Sequence, residues 1–203
     1  MQVHGLLWLT AIVLVLAACG NPSTGAPAVT ADPKTLVLQP GDYPADWDSG
    51  VNYPAPTGSA LTGFGTPVKS KVKPLDAYQY FIPFQNLTSA VALFRSTNEA
   101  HAVFASIALP ASGRELSFVT ETRIDLTLGD EQRVFSWDPT ANIHEVDIYW
   151  RSGNVIAELW TFALTTKYYP TTSALAADDG SILLLIEPLA PRMQTHIRLA
   201  SQH

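Results

Sequence analysis

A single cysteine, Cys19, occurs in a chain of 203 residues. No disulfide can therefore close within the chain, because a disulfide needs a pair. Charge is also sparse. Asp, Glu, Lys and Arg make up 15% of the residues, and the formal balance is −6. The densest basic group, Lys69, Lys71 and Lys73, alternates with neutral residues. Nucleic-acid binding rests on clustered Lys and Arg that neutralise phosphates, so no nucleic-acid partner is expected. No apolar run reaches the roughly 20 residues that a helix needs to cross a bilayer. The run at residues 6–17 is interrupted only by Thr10. No internal repeat is present.

The cysteine stands at the end of that apolar run, in Leu16-Ala17-Ala18-Cys19. Residues 6–17 have the length of a secretory signal core, about 7 to 15 residues, although residues 1–5 contain no Lys or Arg. The four residues ending at Cys19 resemble the bacterial lipobox: an aliphatic residue, two small residues, then cysteine. That resemblance implies a diacylglyceryl group on the Cys19 thiol and cleavage just before it, which removes residues 1–18. Two acyl chains hold a protein stably at a membrane, at about 0.8 kcal/mol per buried CH₂. An acidic domain gains nothing from an anionic lipid surface, so the lipid itself must anchor the chain. The expected location is the bacterial cell membrane or outer membrane, lipid-anchored and facing outside the cytoplasm.

Residues 20–34, GNPSTGAPAVTADPK, lack apolar periodicity and are rich in Pro, Gly, Ser, Thr and Ala. Such a segment cannot bury enough surface to offset its ordering entropy. Residues 19–34 are accordingly expected to be a lipidated cysteine and flexible tether, reaching about 50 Å when extended. Residues 35–203 have the length of one domain.

The opening of that domain, residues 36–65, is crowded with Pro and Gly and predicts turns and short extended pieces. Tyr78, Tyr80, Ile82 and Phe84 alternate as in a strand, and Val91 to Phe94 suggests a second. Ser96 and Glu99 have capping-box spacing. Ala100, Val103, Phe104, Ile107 and Ala108 then fall on one helical stripe that Pro110 and Gly113 end. Leu116, Phe118, Ile124, Leu126 and Leu128 predict strand, as do Arg133, Phe135 and Trp137 after Gly129-Asp130. Val146, Ile148 and Trp150 continue the pattern to a turn at Ser152-Gly153. Val155 to Leu164 is apolar on both faces and belongs at the centre of a sheet. Leu189, Met193, Ile197 and Ala200 share a face of a last helix starting near residue 187, with Pro188 and Pro191 in its first turn. Residues 182–186, ILLLI, suit strand or helix. The expected fold is α+β: an antiparallel meander with two main helices packed on one face. This layout is similar to that of small α+β lipoproteins and extracytoplasmic sensor domains of bacteria. The segment LQPGDYPADW resembles the Leu-Pro-Ala-Gly-Trp-like opening segment of such proteins.

Signatures of catalysis are missing. No G-x-S-x-G or phosphate-loop pattern occurs, and Gly63-Phe64-Gly65 lacks the third glycine of a dinucleotide turn. In His144-Glu145-Val146-Asp147 a strand would place Glu145 and Asp147 on one face and His144 on the other, so the three cannot converge on a metal. A solvated strand face is the expected reading. Asp46-Trp47-Asp48 and Asp178-Asp179-Gly180 read as turns or caps rather than calcium loops. His101 and His196 lie beside the apolar stripes of their helices and read as packed or half-exposed residues rather than general bases. No metal, cofactor or catalytic residue is expected.

What remains is aromatic. Tyr43, Trp47 and Tyr53 gather in the Pro/Gly-rich opening, and Tyr168 and Tyr169 in another loop. Loops on a rigid scaffold carry binding residues, and exposed aromatics stack on sugars or peptides. The commoner alternative is that these rings cover the sheet edge. The function these features point to is a non-enzymatic, lipid-anchored binding or sensing module of the bacterial envelope, with an envelope protein or small ligand as partner. Two other classes stay open: an amphiphile carrier with an apolar cleft, and an envelope hydrolase with a non-standard site.

Overall fold

The computed structural model describes residues 28–47, 51–53, 72–82, 86–107, 120–122, 124–140, 143–164 and 186–202. The expectations for Cys19, Phe84, Ala108, Pro110, Gly113, Leu116, Phe118, Tyr168, Tyr169 and residues 182–185 lie outside them. Among the described residues no helix is long and apolar enough to cross a membrane.

The fold is α+β, with an antiparallel sheet and, among the described residues, two α-helices. Its strands are β1 (Val51–Tyr53), β2 (Asp76–Ile82), β3 (Leu87–Leu93), β4 (Thr120–Thr122), β5 (Glu131–Thr140), β6 (Ile143–Ser152) and β7 (Val155–Leu164). Helix α1 is Thr97–Ser106 and helix α2 is Ala190–Ala200. In β2 the alternating Tyr78, Tyr80 and Ile82 turn inward, as their period of two requires. The spatial order β1-β2-β3-β7-β6-β5-β4 places β7 in the middle, in keeping with a strand that is apolar on both faces. The sheet is not one continuous meander. After β3 the chain passes through α1 to the far edge and returns strand by strand to pair β7 with β3.

The helices occupy opposite faces of the sheet, which corrects the expectation of one shared face. Val146, Ile148 and Trp150 of β6 pack in one core cluster with Met193 and Ile197 of α2. Tyr149, between them in sequence, packs in a second cluster with Val103 and Phe104 of α1, Phe135 and Ile156. Successive strand residues point to opposite faces, so the two clusters are two sides of one sheet. A helical stripe specifies that a face is buried but not which side of the sheet receives it.

Two further expectations change. Residues 124–128 are not strand, although Ile124 and Leu128 are buried as their spacing requires. The Gln132 side chain replaces a ladder there: Leu128 N donates to its Oε1 (2.8 Å), and its Nε2 donates to Leu126 O (2.6 Å). The segment before residue 35 is packed from Val29 onward. Val29 is buried, and its backbone bonds in both directions to the side chain of Asn154, N–H to Oδ1 at 2.7 Å and Nδ2–H to the Val29 carbonyl at 3.0 Å. The domain therefore includes residues 28–34, which composition assigns to a tether.

The helix ends follow local chemistry. Ser96 caps α1 by accepting from Glu99 N at 3.2 Å. The Glu99 carboxylate closes the box on the amide of Arg95 (3.1 Å) rather than on that of Ser96. Pro191 sits in the first turn of α2, where its missing N–H costs nothing.

Candidate functional site

The first candidate is built on a tight turn. In Gln39-Pro40-Gly41-Asp42, Asp42 N donates to Gln39 O at 2.9 Å, and Gly41 has φ +109°. Pro at the second position and a positive-φ Gly at the third are what a type II turn demands. The Asp42 carboxylate locks the turn by accepting from Gln39 N at 2.6 Å and lies 2.8 Å from His196 Nε2 of α2. A second turn, Trp47 N to Pro44 O at 3.0 Å, folds Trp47 back on Tyr43. The two rings stack with centroids 5.8 Å apart and planes 18° from parallel. Tyr43 is buried and its hydroxyl meets that of Tyr80 at 3.0 Å, while Trp47 stays half-buried.

Helix α2 supplies the opposite wall. It is held against the sheet by Trp150 Nε1 donating to Gln194 Oε1 (2.6 Å) and by Ser89 Oγ donating to Met193 Sδ (3.2 Å). Ser89 Oγ also accepts from Leu38 N (3.0 Å), so one buried hydroxyl joins the opening segment, β3 and α2. Between the walls is a cleft of about 320 Å³ lined by Asp42, Tyr43, Pro44, Trp47, Pro188, Leu189 and Arg192. Arg192 Nη1 donates to the Asp42 carbonyl; among the described residues its other nitrogens have no partner. The cleft thus combines an indole face, two prolines and a leucine with one carboxylate and one guanidinium. A larger depression of about 790 Å³ lies between residues 29–34 and 75–78. Its carboxylates are spent locally: Asp32 caps Lys34 N and Asp76 accepts from Ala77 N.

The second candidate lies on the α1 face. Glu145, Asp147, Tyr149 and Arg151 of β6 share that face with Glu158 and Trp160 of β7. Glu145, Asp147 and Glu158 are all buried. Tyr149 Oη is 3.0 Å from Asp147 Oδ2 and 2.8 Å from Glu158 Oε1. Asp147 Oδ1 and Glu145 Oε2 are buried with no hydrogen-bond partner. Burial pushes the Asp147 carboxyl well above the usual carboxylate range, Glu158 and Glu145 push it further by like charge, and Tyr149 opposes them. Burial likewise raises Glu145, with Trp160 and His144 acting the other way. The solvated face expected at residues 144–147 is therefore overturned. Among the described residues no group of three or more His, Cys, Asp or Glu side chains is placed to hold a metal. The signal that could have found this cluster is Glu158, a lone acid inside the two-faced apolar strand VIAELWTFAL, which can only be buried.

Of the aromatic residues singled out by sequence, the structure brings Tyr43 and Trp47 together. Tyr53 lies in β1, its backbone paired with Gln79 of β2. His101 is exposed and 2.6 Å from Glu131, and His196 is half-buried on Asp42. Arg192 was not foreseen, because an exposed arginine in a first helical turn looks like any surface charge. No family model matches the chain, and no curated protein matches it.

Proposed function

We propose that this chain is a lipid-anchored binding module held outside the cytoplasm through Cys19, and that it binds a small saccharide in the Trp47 cleft. The observation that carries the binding reading is the stacked Tyr43–Trp47 pair facing Arg192 across the cleft. A sugar ring presents an apolar C–H face to the indole while its hydroxyls bond to the Arg192 guanidinium and the Asp42 carboxylate. The anchor reading is supported by Leu16-Ala17-Ala18-Cys19.

Binding is tested by titrating the protein with chito- and cello-oligosaccharides and following the Trp47 indole N–H by NMR, with Trp47→Ala and Arg192→Ala as controls. A saturable Trp47 shift that both substitutions weaken at least tenfold supports the reading. A response only to proline-containing peptides reassigns the ligand class, and no response to either overturns it. The anchor is tested by fractionating cells that carry Cys19→Ser. A variant retained in the membrane as tightly as wild type sinks that part of the proposal.

A further inference from the structure

The buried acids on the α1 face are separate from the Trp47 cleft, and their geometry carries a conclusion about protonation. A tyrosine hydroxyl has one proton to give. The Tyr149 hydroxyl nevertheless lies within hydrogen-bond distance of two carboxyl oxygens, Asp147 Oδ2 at 3.0 Å and Glu158 Oε1 at 2.8 Å. If both acids were ionised, one contact would set a hydroxyl lone pair against a buried carboxylate. We propose that Asp147 and Glu158 form a proton-binding site, in which Asp147 holds a proton at neutral pH and donates it to the Tyr149 oxygen while Tyr149 donates to Glu158. The result is a directed chain, Asp147 to Tyr149 to Glu158, that carries one negative charge instead of two.

The surroundings favour the proton on Asp147. Asp147 is fully buried, and its second oxygen accepts no hydrogen bond. On its own strand it is flanked on this face by Glu145 and Tyr149, with Arg151 beyond. Arg151 is committed to Asp130 and Glu131, both at 2.9 Å. On β5, Phe135 stands opposite Asp147 and Arg133 opposite Tyr149. Arg133 is turned to Glu121 and to the Ile107 carbonyl. On β3 the residues opposite Trp160 and Glu158 are Thr88 and Ala90, neither of which titrates. On α1, Glu99 turns back to Arg95 and His101 to Glu131. Among the described residues Asp147 has no cationic partner. An isolated carboxylate in such a place is strongly disfavoured, and taking up a proton is the ordinary response. Burial and the nearby acids act on Asp147 in that direction.

The test is infrared difference spectroscopy on the full-length chain, which reads the C=O stretch of a protonated carboxyl directly. The expected result at pH 7 is one such band per chain, shifted in deuterium oxide and absent from Asp147→Asn. Glu158→Gln should keep the band at acid pH but lower its titration midpoint by at least one pH unit, because the repelling charge is gone. Tyr149→Phe should move the midpoint without removing the band. Absence of a protonated-carboxyl band from wild type at pH 7 overturns the proposal, and that measurement needs no variant to fold. A band that survives Asp147→Asn overturns the assignment of the proton to Asp147, whether Glu158→Gln or Glu145→Gln then removes it.

Discussion

Individual residues in this protein are constrained by a few close contacts. Gly129 is one. It has φ +56°, and a Cβ there would drive into the Arg151 carbonyl oxygen, to which Asp130 N donates at 2.7 Å. A left-handed conformation alone costs an L-residue about 1 to 2 kcal/mol, and the clash adds to it. Gly129→Ala should therefore lower stability by more than about 2 kcal/mol, read as a shift in urea midpoint. A wild-type midpoint would mean that the turn is looser than the contact implies. Asp147 sets a second expectation, in pH. Its carboxyl is raised in the folded chain, so folding favours the protonated form. Its contribution is fully present below the ordinary aspartate range near pH 4 and is lost as pH rises through the raised folded value. Urea midpoints measured from pH 4 upward should show this loss in wild type and a flatter profile in Asp147→Asn. Parallel profiles would remove Asp147 as the source.

Among the elements, α1 reports how local code and packing combine. Its cap and stripe are both written in sequence, and the structure buries Ala100, Val103, Phe104 and Ile107 against Phe135, Tyr149 and Ile156. Phe104→Ala should cost about 3 to 5 kcal/mol, and Ser96→Ala about 0.5 to 2 kcal/mol. His101→Gln should cost less than either, since His101 is exposed and an exposed ion pair contributes about 0 to 1 kcal/mol. If His101→Gln proves the most damaging of the three in chemical denaturation, the packing described for α1 is wrong. Helix α2 differs. No side chain caps it, and its position comes from Gln194, Met193 and Ile197 meeting the sheet. Through α2 the Trp150 and Ser89 contacts also set where Arg192 stands over the cleft.

At the scale of the whole molecule, Asn154 joins distant parts of the chain. It lies in the β6–β7 turn, bonds Val29 on both backbone groups, and donates from Nδ2 to Phe94 O at 2.9 Å. Removing residues 28–34 would strip Val29 from the core and leave the Asn154 amide short of partners in a buried place. A fragment of residues 35–203 should be less stable than one of residues 28–203 by about 3 kcal/mol, from lost apolar burial and orphaned hydrogen bonds. Equal melting temperatures would restore the boundary at residue 35.

Sequence by itself determined the features that depend on near neighbours. The alternation of Tyr78, Tyr80 and Ile82, the Ser96–Glu99 spacing, the turn after Ser152 and the central place of VIAELWTFAL all express the 2.0 and 3.6 residue periods. The tertiary structure decided what those periods leave open. It paired β3 with β7, although β4, β5, β6 and α1 intervene in sequence. It sent the two helices to opposite faces, because a buried stripe carries no label for the side it meets. It turned Glu145 and Asp147 inward, because the polar side of a strand is solvated only when nothing covers it, and α1 packs on that face. It also brought Asp42 within 2.8 Å of His196, two residues separated by 154 positions. A site closed across such a span is fixed by how the layers stack, and the residues forming it carry no pattern in the linear chain.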